Sequence, residues 1–203
     1  MKLFSAVKAP NPRRVLMALA EKGFTGVEVV NLDLARGDNL TSEFRALNPI
    51  GKVPVLQLDD GTAIAECSAI IRYLEEVQPE PALLGRSSVE KALIQMWDSR
   101  LEHAFLMPVG QCFQHSSGFF KDRMTPVAEW GSEAGKIAAK FLPVLEQQLQ
   151  TNSWVAGEHF SVADITALCT LEFAKVIRLR PGEEFPAIQR WYQAMQQRPS
   201  YSA

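Results

Sequence analysis

Apolar residues follow two different rhythms along the chain, and the rhythm changes near residue 80. Before that point, short apolar or β-branched runs alternate with helical patterns. Lys2 to Ser5 and Glu28 to Leu32 read as strands. Pro12 to Lys22 between them reads as a helix stopped by Gly23, because helices commonly end on a glycine at positive φ. The three together predict a β-α-β unit. Leu40 to Leu47 reads as a short helix ended by Asn48-Pro49, and Val53 to Leu58 with Thr62 to Ala65 reads as a hairpin turning at Asp59-Asp60-Gly61. A helix from about Glu66 to Val77 closes this part. Gln78-Pro79-Glu80-Pro81 then ends it, since proline has no N–H to donate and biases its predecessor toward extended backbone.

Past the prolines every strong signal is helical. Leu93, Trp97, Leu101 and Phe105 recur at spacing four, as do Ile137, Phe141, Leu145 and Leu149, which predicts two long amphipathic helices with a loop near Ser116 to Gly118 between them. Pro108 is expected to kink the first of them. Ser161-Val-Ala-Asp164 has the form of a capping box, with an aspartate standing where the longer glutamate is preferred. The helix that follows is apolar on nearly every side, so it should lie at the centre of an all-helical domain. The expected organisation is a first domain over 1–78, a linker over 79–87 and a helical domain over 88–203.

Composition narrows the function classes. With 203 residues, 47% hydrophobic and 22% charged, the chain is an ordinary globular one. A net charge of −2 gives no footprint for nucleic-acid binding. No window approaches the ~18–20 consecutive apolar residues of a membrane span, and the first residues lack the apolar run of a signal peptide. Cys67, Cys112 and Cys169 are isolated and odd in number, with no metal-ligand spacing, which argues against disulfides and against a zinc site. The expectation is a cytoplasmic protein of a reducing compartment, with no metal, no membrane and no nucleic acid among its partners.

Two places have the residues for chemistry. Glu66, Cys67 and Ser68 open a helix, where unbonded N–H groups and the helix dipole favour an anion. Val53-Pro54 is a bond that can be cis, because the tertiary amide removes most of the trans preference. Asn48-Pro49-Ile50-Gly51-Lys52-Val53-Pro54-Val55-Leu56, Ala65-Glu66-Cys67-Ser68-Ala69-Ile70, Arg72-Tyr73-Leu74 and Ser161-Val-Ala-Asp164 stand in an order and spacing that resemble the cytosolic glutathione S-transferase family over essentially the whole chain. Pro10-Asn11-Pro12-Arg13-Arg14-Val15, with Leu19-Ala20-Glu21-Lys22-Gly23, resembles a bacterial branch of it.

The resemblance implies an α/β thioredoxin-like N-terminal domain (βαβαββα) followed by an all-α C-terminal domain, a homodimer, and a glutathione site on the first domain. It implies that Pro54 is cis and that the Val53 backbone pairs with the cysteinyl part of glutathione as an added strand would. It implies that Glu66 faces the glutathione ammonium while backbone and side chain at Cys67 receive the γ-glutamyl carboxylate. Cys67 stands where the family usually has serine, and a thiol is the weaker donor. Lys52 either pairs with the glycyl carboxylate or is a solvated loop lysine.

At the catalytic position the chain departs from the family pattern. The serine or cysteine that activates the sulfur in several branches falls at Ala9, and the cysteines of a CPxC motif fall at Ala9 and Pro12, which excludes a dithiol mechanism there. Asn11 remains. Its amide either donates to the glutathione thiolate, as in bacterial relatives resembling the nu class, with help from the helix end and Arg13 or Arg14, or it only shapes a turn between prolines. Ser5 is a weaker candidate. Two arginines at a helix N-terminus modestly favour a bound anion.

The acceptor site is expected between the domains, lined by Val7 and Lys8 and by the helix carrying His103, Met107, Gln111 and Phe113. Asp98 and Glu102 either reach glutathione across a dimer interface or form a solvated helix face. The function expected is a glutathione transferase, working by conjugation or by disulfide or peroxide reduction. A non-catalytic binding or regulatory protein of the same family is the alternative.

Overall fold

The computed structural model describes residues 1–203 as two compact units, Met1–Leu83 with Pro199–Ala203, and Leu84–Arg198. In the first unit the elements are β1 (Lys2–Ser5), α1 (Pro10–Glu21), β2 (Glu28–Asn31), α2 (Ser42–Leu47), β3 (Val55–Gln57), β4 (Ala63–Ala65) and α3 (Cys67–Val77). The strands form one mixed sheet in the order β2-β1-β3-β4, with β1 parallel to β2 and the other two pairings antiparallel. This is the thioredoxin-like βαβαββα arrangement. Its core is built from Leu3, Val15, Met17, Ala18, Val55, Leu56, Ile70, Ile71 and Leu74, all fully buried.

Local signals explain most of these boundaries. At the end of α1, Gly23 takes φ 59°, the Phe24 N–H reaches Leu19 O at 2.9 Å and the Gly23 N–H reaches Ala20 O at 3.0 Å. That is a Schellman closure, and it needs a left-handed residue at Gly23. The helix begins at Pro10 rather than Pro12, because a proline in the first position gives up an N–H that no helical carbonyl would have accepted. Leu40 belongs to a separate 3-10 turn, Asp38–Leu40, and α2 starts after Thr41, whose hydroxyl accepts the Phe44 N–H. In the hairpin, Leu58 N–H meets Thr62 O at 2.8 Å with Gly61 at φ 90°. Strand β3 starts only at Val55, since Pro54 has no donor for the ladder.

The unit boundaries differ from those expected. Lys22, 3% exposed, gives its ammonium to Gln78 O (2.7 Å), Pro81 O (3.0 Å) and the Glu75 carboxylate (2.6 Å), while Glu75 also accepts the Leu83 N–H. The proline segment is thereby fastened to the end of α1 and belongs to the first unit. The last residues, expected to close the helical domain, join that unit as well. Arg13 Nη2 donates to Tyr201 O at 2.8 Å, its guanidinium lies 5.4 Å from the Tyr201 ring centre, and Ser200 Oγ donates to Glu21.

The second unit contains α4 (Ser88–Leu101), a π-helical segment Glu102–Leu106, α5 (Met107–Ser116), α6 (Ala128–Thr151), α7 (Val162–Ala174) and α8 (Pro186–Gln196). α7 is buried along its length and packs on α4, while α6 packs on α5 and α8. Phe105 stacks on Phe141 with ring centres 5.3 Å apart. The expected stripes are only partly buried, because Leu93 and Ile137 are 42% and 40% exposed while their later partners are inside. A strict spacing of four advances by about 40° per step around a helix of 3.6 residues per turn, so a run of four positions drifts off a single face. The irregularity expected at Pro108 falls just upstream, in the π-helical segment, and Pro108 sits in the first turn of α5. The loop after Ser116 runs to Val127, longer than expected.

The capping box is made. Asp164 accepts from the Ser161 N–H at 3.0 Å, the Ser161 hydroxyl at 3.3 Å, the Val155 N–H at 2.9 Å and Trp191 Nε1 at 2.8 Å. Burial pushes its carboxyl up to about 6 despite these four donors.

Candidate functional site

Register gathers the expected site at one end of the first unit's sheet. Phe4 lies opposite Val55 and Val55 opposite Ala65, so the exit of β1, the approach to β3 and the exit of β4 share that end. The loop before α1, the Val53-Pro54 bond and the start of α3 follow directly from them.

The Val53-Pro54 bond is cis. The backbone of Val53 makes no hydrogen bond within the chain, which leaves an extended residue able to accept a peptide as a strand accepts its neighbour. Gly51, at φ 66°, and Asn48 shape the approach: Asn48 Nδ2 donates to Lys52 O at 2.8 Å, and the Lys52 side chain is exposed.

Glu66 sits at the N-cap of α3 with φ 70° and ψ 128°, a sparsely populated conformation that costs a non-glycine residue on the order of 1–3 kcal/mol. No side chain caps the helix, so the N–H groups of its first turn face outward. Strain combined with an uncapped helix start is an arrangement for receiving an anion. Glu66 is exposed beside it. The Cys67 side chain does something other than expected: it is buried, 5% exposed, and its Sγ donates to the Asn11 carbonyl at 3.3 Å. The thiol points into the protein, and position 67 offers a ligand its backbone N–H.

That contact joins α3 to the start of α1. Ala9 is the N-cap there and supplies no side-chain oxygen. Pro10 and Pro12 have no N–H, and the Arg13 N–H already bonds Ala9 O at 3.4 Å. The positive end of α1 therefore presents a single backbone donor, the Asn11 N–H, together with the Asn11 side-chain amide. Arg14 Nη1 donates to Asn11 Oδ1 at 3.2 Å, which turns Nδ2 away from Arg14.

Of the two arginines at this helix start, Arg13 reaches Tyr201 with Nη2 and with its guanidinium face, and Arg14 is fully buried with Nη1 on Asn11. Ser5, the weaker candidate, is 1% exposed. Val7, 73% exposed, and Lys8, at φ 66°, stand on the loop between β1 and α1.

The remaining acceptor residues lie in the second unit. His103 belongs to the π-helical segment, Met107 is 51% exposed at the start of α5, and Gln111 Oε1 accepts from Trp130 Nε1 at 3.1 Å. Phe113 is packed among Phe119, Phe120 and Phe173. Asp98 is 3% exposed and accepts from Thr166 Oγ1 at 2.6 Å, so it ties α4 to α7 and is neither a ligand group nor a solvated face. Spacing on α4 could not reveal this, because its partner lies on another helix. A separate cavity of about 330 Å³, lined by Lys175, Arg180, Gln189 and Tyr192 among others, contains none of the expected residues. No helix is long and apolar enough to cross a membrane.

Comparison with known proteins identifies the family. Residues 9–77 match the family model described as the glutathione S-transferase N-terminal domain, and residues 119–199 match its C-terminal domain. The chain is 39% identical to glutathione S-transferase 2 of Saccharomyces cerevisiae, over 98% of this chain and 87% of that one. It is also 30% identical to elongation factor 1-gamma 2 of Oryza sativa subsp. japonica, over 94% of this chain but only 45% of that one. The crystal structure of Gtt2 from Saccharomyces cerevisiae superposes with a TM-score of 0.95 at 38% identity, covering 100% of this chain and 99% of that one. From the matching models, the identity to a relative along nearly its full length, and the shared fold, the chain belongs to the glutathione S-transferase family.

Proposed function

We propose that this protein is a glutathione transferase that binds glutathione on the first unit, lowers the pKa of its thiol and passes the thiolate to an electrophile, a disulfide or a peroxide. The observation that carries the reading is the convergence, at one sheet end, of the uncapped and strained start of α3, the unbonded backbone of Val53 after which the chain turns through cis-Pro54, and the lone donor group of Asn11. In this reading the first-turn N–H groups of α3, Cys67's among them, hold the γ-glutamyl carboxylate and Glu66 faces the ammonium. The Val53 backbone pairs with the cysteinyl residue and Lys52 meets the glycyl carboxylate. Val7 and Lys8 are the first unit's groups toward the acceptor. Asn11 donates to the sulfur through its N–H and Nδ2, and the thiol proton leaves to solvent.

Holding the thiolate one pKa unit lower needs ~1.4 kcal/mol of differential stabilisation, within the range of one or two hydrogen bonds to a charged group. The protein works as a homodimer in the cytoplasm, and its oligomeric state is measurable by sedimentation. Calorimetric titration with glutathione, followed by turnover of an aromatic halide, a hydroperoxide and a mixed disulfide, tests the reading. We expect Asn11→Ala to keep glutathione binding and to lose about tenfold in turnover below the thiol pKa. Unchanged turnover with every acceptor would remove Asn11 from the mechanism.

Ala9 and the relatives named elongation factor 1-gamma favour a second reading, a glutathione-binding module without chemistry. Binding with no turnover of any acceptor selects it, and no binding sinks both.

A further inference from the structure

The fully buried Arg14 has no surface role, yet its guanidinium reaches the side chain of Asn11. Resting on the assignment of Asn11 to the glutathione sulfur, we infer that Arg14 is a positioning residue for the thiol-activating amide. A primary amide has two ends of opposite character, and only Nδ2 stabilises a thiolate. If Oδ1 faced the sulfur it would raise the thiol pKa. Nothing in Asn11 itself selects the productive orientation. Arg14, three residues on and one turn along α1, selects it by donating Nη1 to Oδ1 at 3.2 Å. A guanidinium has only donors and stays charged, so it holds an amide oxygen and never an amide NH2.

The need for such a device follows from the sequence of the first turn. An ordinary helix start offers several N–H groups to an anion, whereas the prolines at 10 and 12 leave α1 with the Asn11 N–H alone. The amide NH2 thus supplies two of the three N–H donors of Asn11 at this helix start, and its orientation matters correspondingly. Cys67 holds the backbone of the same residue, with Sγ on the Asn11 carbonyl at 3.3 Å, and so helps fix the base from which the amide projects. Of the other charged groups on these segments, Arg13 is held by Tyr201, and Lys8 and Glu66 are exposed.

The test is the pKa of the glutathione thiol in the complex, read from the ultraviolet absorbance of the thiolate, with glutathione affinity measured alongside. Arg14→Met keeps the length of the stem and removes the donor. We expect it to raise the bound thiol pKa by about one unit while changing glutathione affinity less than about threefold. Asn11→Ala should raise the pKa similarly, and the double variant should be no worse than Asn11→Ala alone, because one acts through the other. Arg14→Lys should restore part of the shift.

A pKa unchanged in Arg14→Met but raised in Asn11→Ala would overturn the role of Arg14 and leave Asn11 standing. A pKa unchanged in Asn11→Ala would overturn both. If Arg14→Met fails to fold, Arg14→Lys, which keeps the charge but replaces the planar fork by a flexible ammonium, decides. A bound thiol pKa between those of the unaltered protein and Asn11→Ala supports the role of Arg14, and one equal to that of the unaltered protein rejects it.

Discussion

Cys67 shows how one side chain can mislead when read by its type. A thiol where the family has serine suggests a weakened ligand contact, but the buried Sγ serves Asn11, and the donor left for a carboxylate is the backbone. Cys67→Ser should therefore alter glutathione affinity by less than about twofold, since a backbone N–H does not depend on the side chain it carries. A tenfold tightening in a calorimetric titration would show that the side chain at 67 does reach the ligand. Arg13 and Arg14 teach the same lesson. Their crowding at a helix start is visible in the sequence, and an anion is the obvious remedy. The partners found are the Tyr201 carbonyl and ring for one, and the Asn11 amide oxygen for the other.

At the scale of elements, the parts that could be read locally were those whose cause is local. Gly23 ends α1 because a left-handed residue completes the closure, and Asp59-Asp60-Gly61 turns the hairpin for a similar reason. Ser161 and Asp164 form their box even with the short acid, and the sequence could not foretell that Val155 and Trp191 would add two donors. That enclosure has a measurable consequence. In the folded chain the Asp164 carboxyl holds its proton up to about 6, against an ordinary 3.8. Its contribution to stability is therefore complete below the unfolded value and is lost as pH rises through about 6. Asp164→Asn cannot titrate and sets an amide NH2 against the Ser161 donors. The unfolding temperature of the unaltered protein minus that of Asp164→Asn should be largest near pH 4 and shrink through about pH 6, by the equivalent of roughly 2–3 kcal/mol. A gap that widens with rising pH would contradict the assignment.

For the whole molecule, the division into two units was legible from the change of period and the prolines, but its edges were not. Pro199–Ala203 return to the first unit through Arg13 and Glu21. Deleting these residues should lower stability by about 1–2 kcal/mol in chemical denaturation, through the exposure of Arg13 and the loss of the Ser200 hydroxyl from Glu21. An unchanged midpoint would mean that the C-terminal contacts contribute nothing.

The sequence alone determined the order of elements, the two helix caps, the hairpin turn and the family, because each depends on residues within a few positions of one another or on motifs in fixed succession. Only the tertiary structure decided the roles of Cys67, Asp98, Arg13, Arg14 and Tyr201. Each is set by a hydrogen bond or ring contact to a residue on another element or one turn away, and which partner a polar group finds once buried is settled by packing.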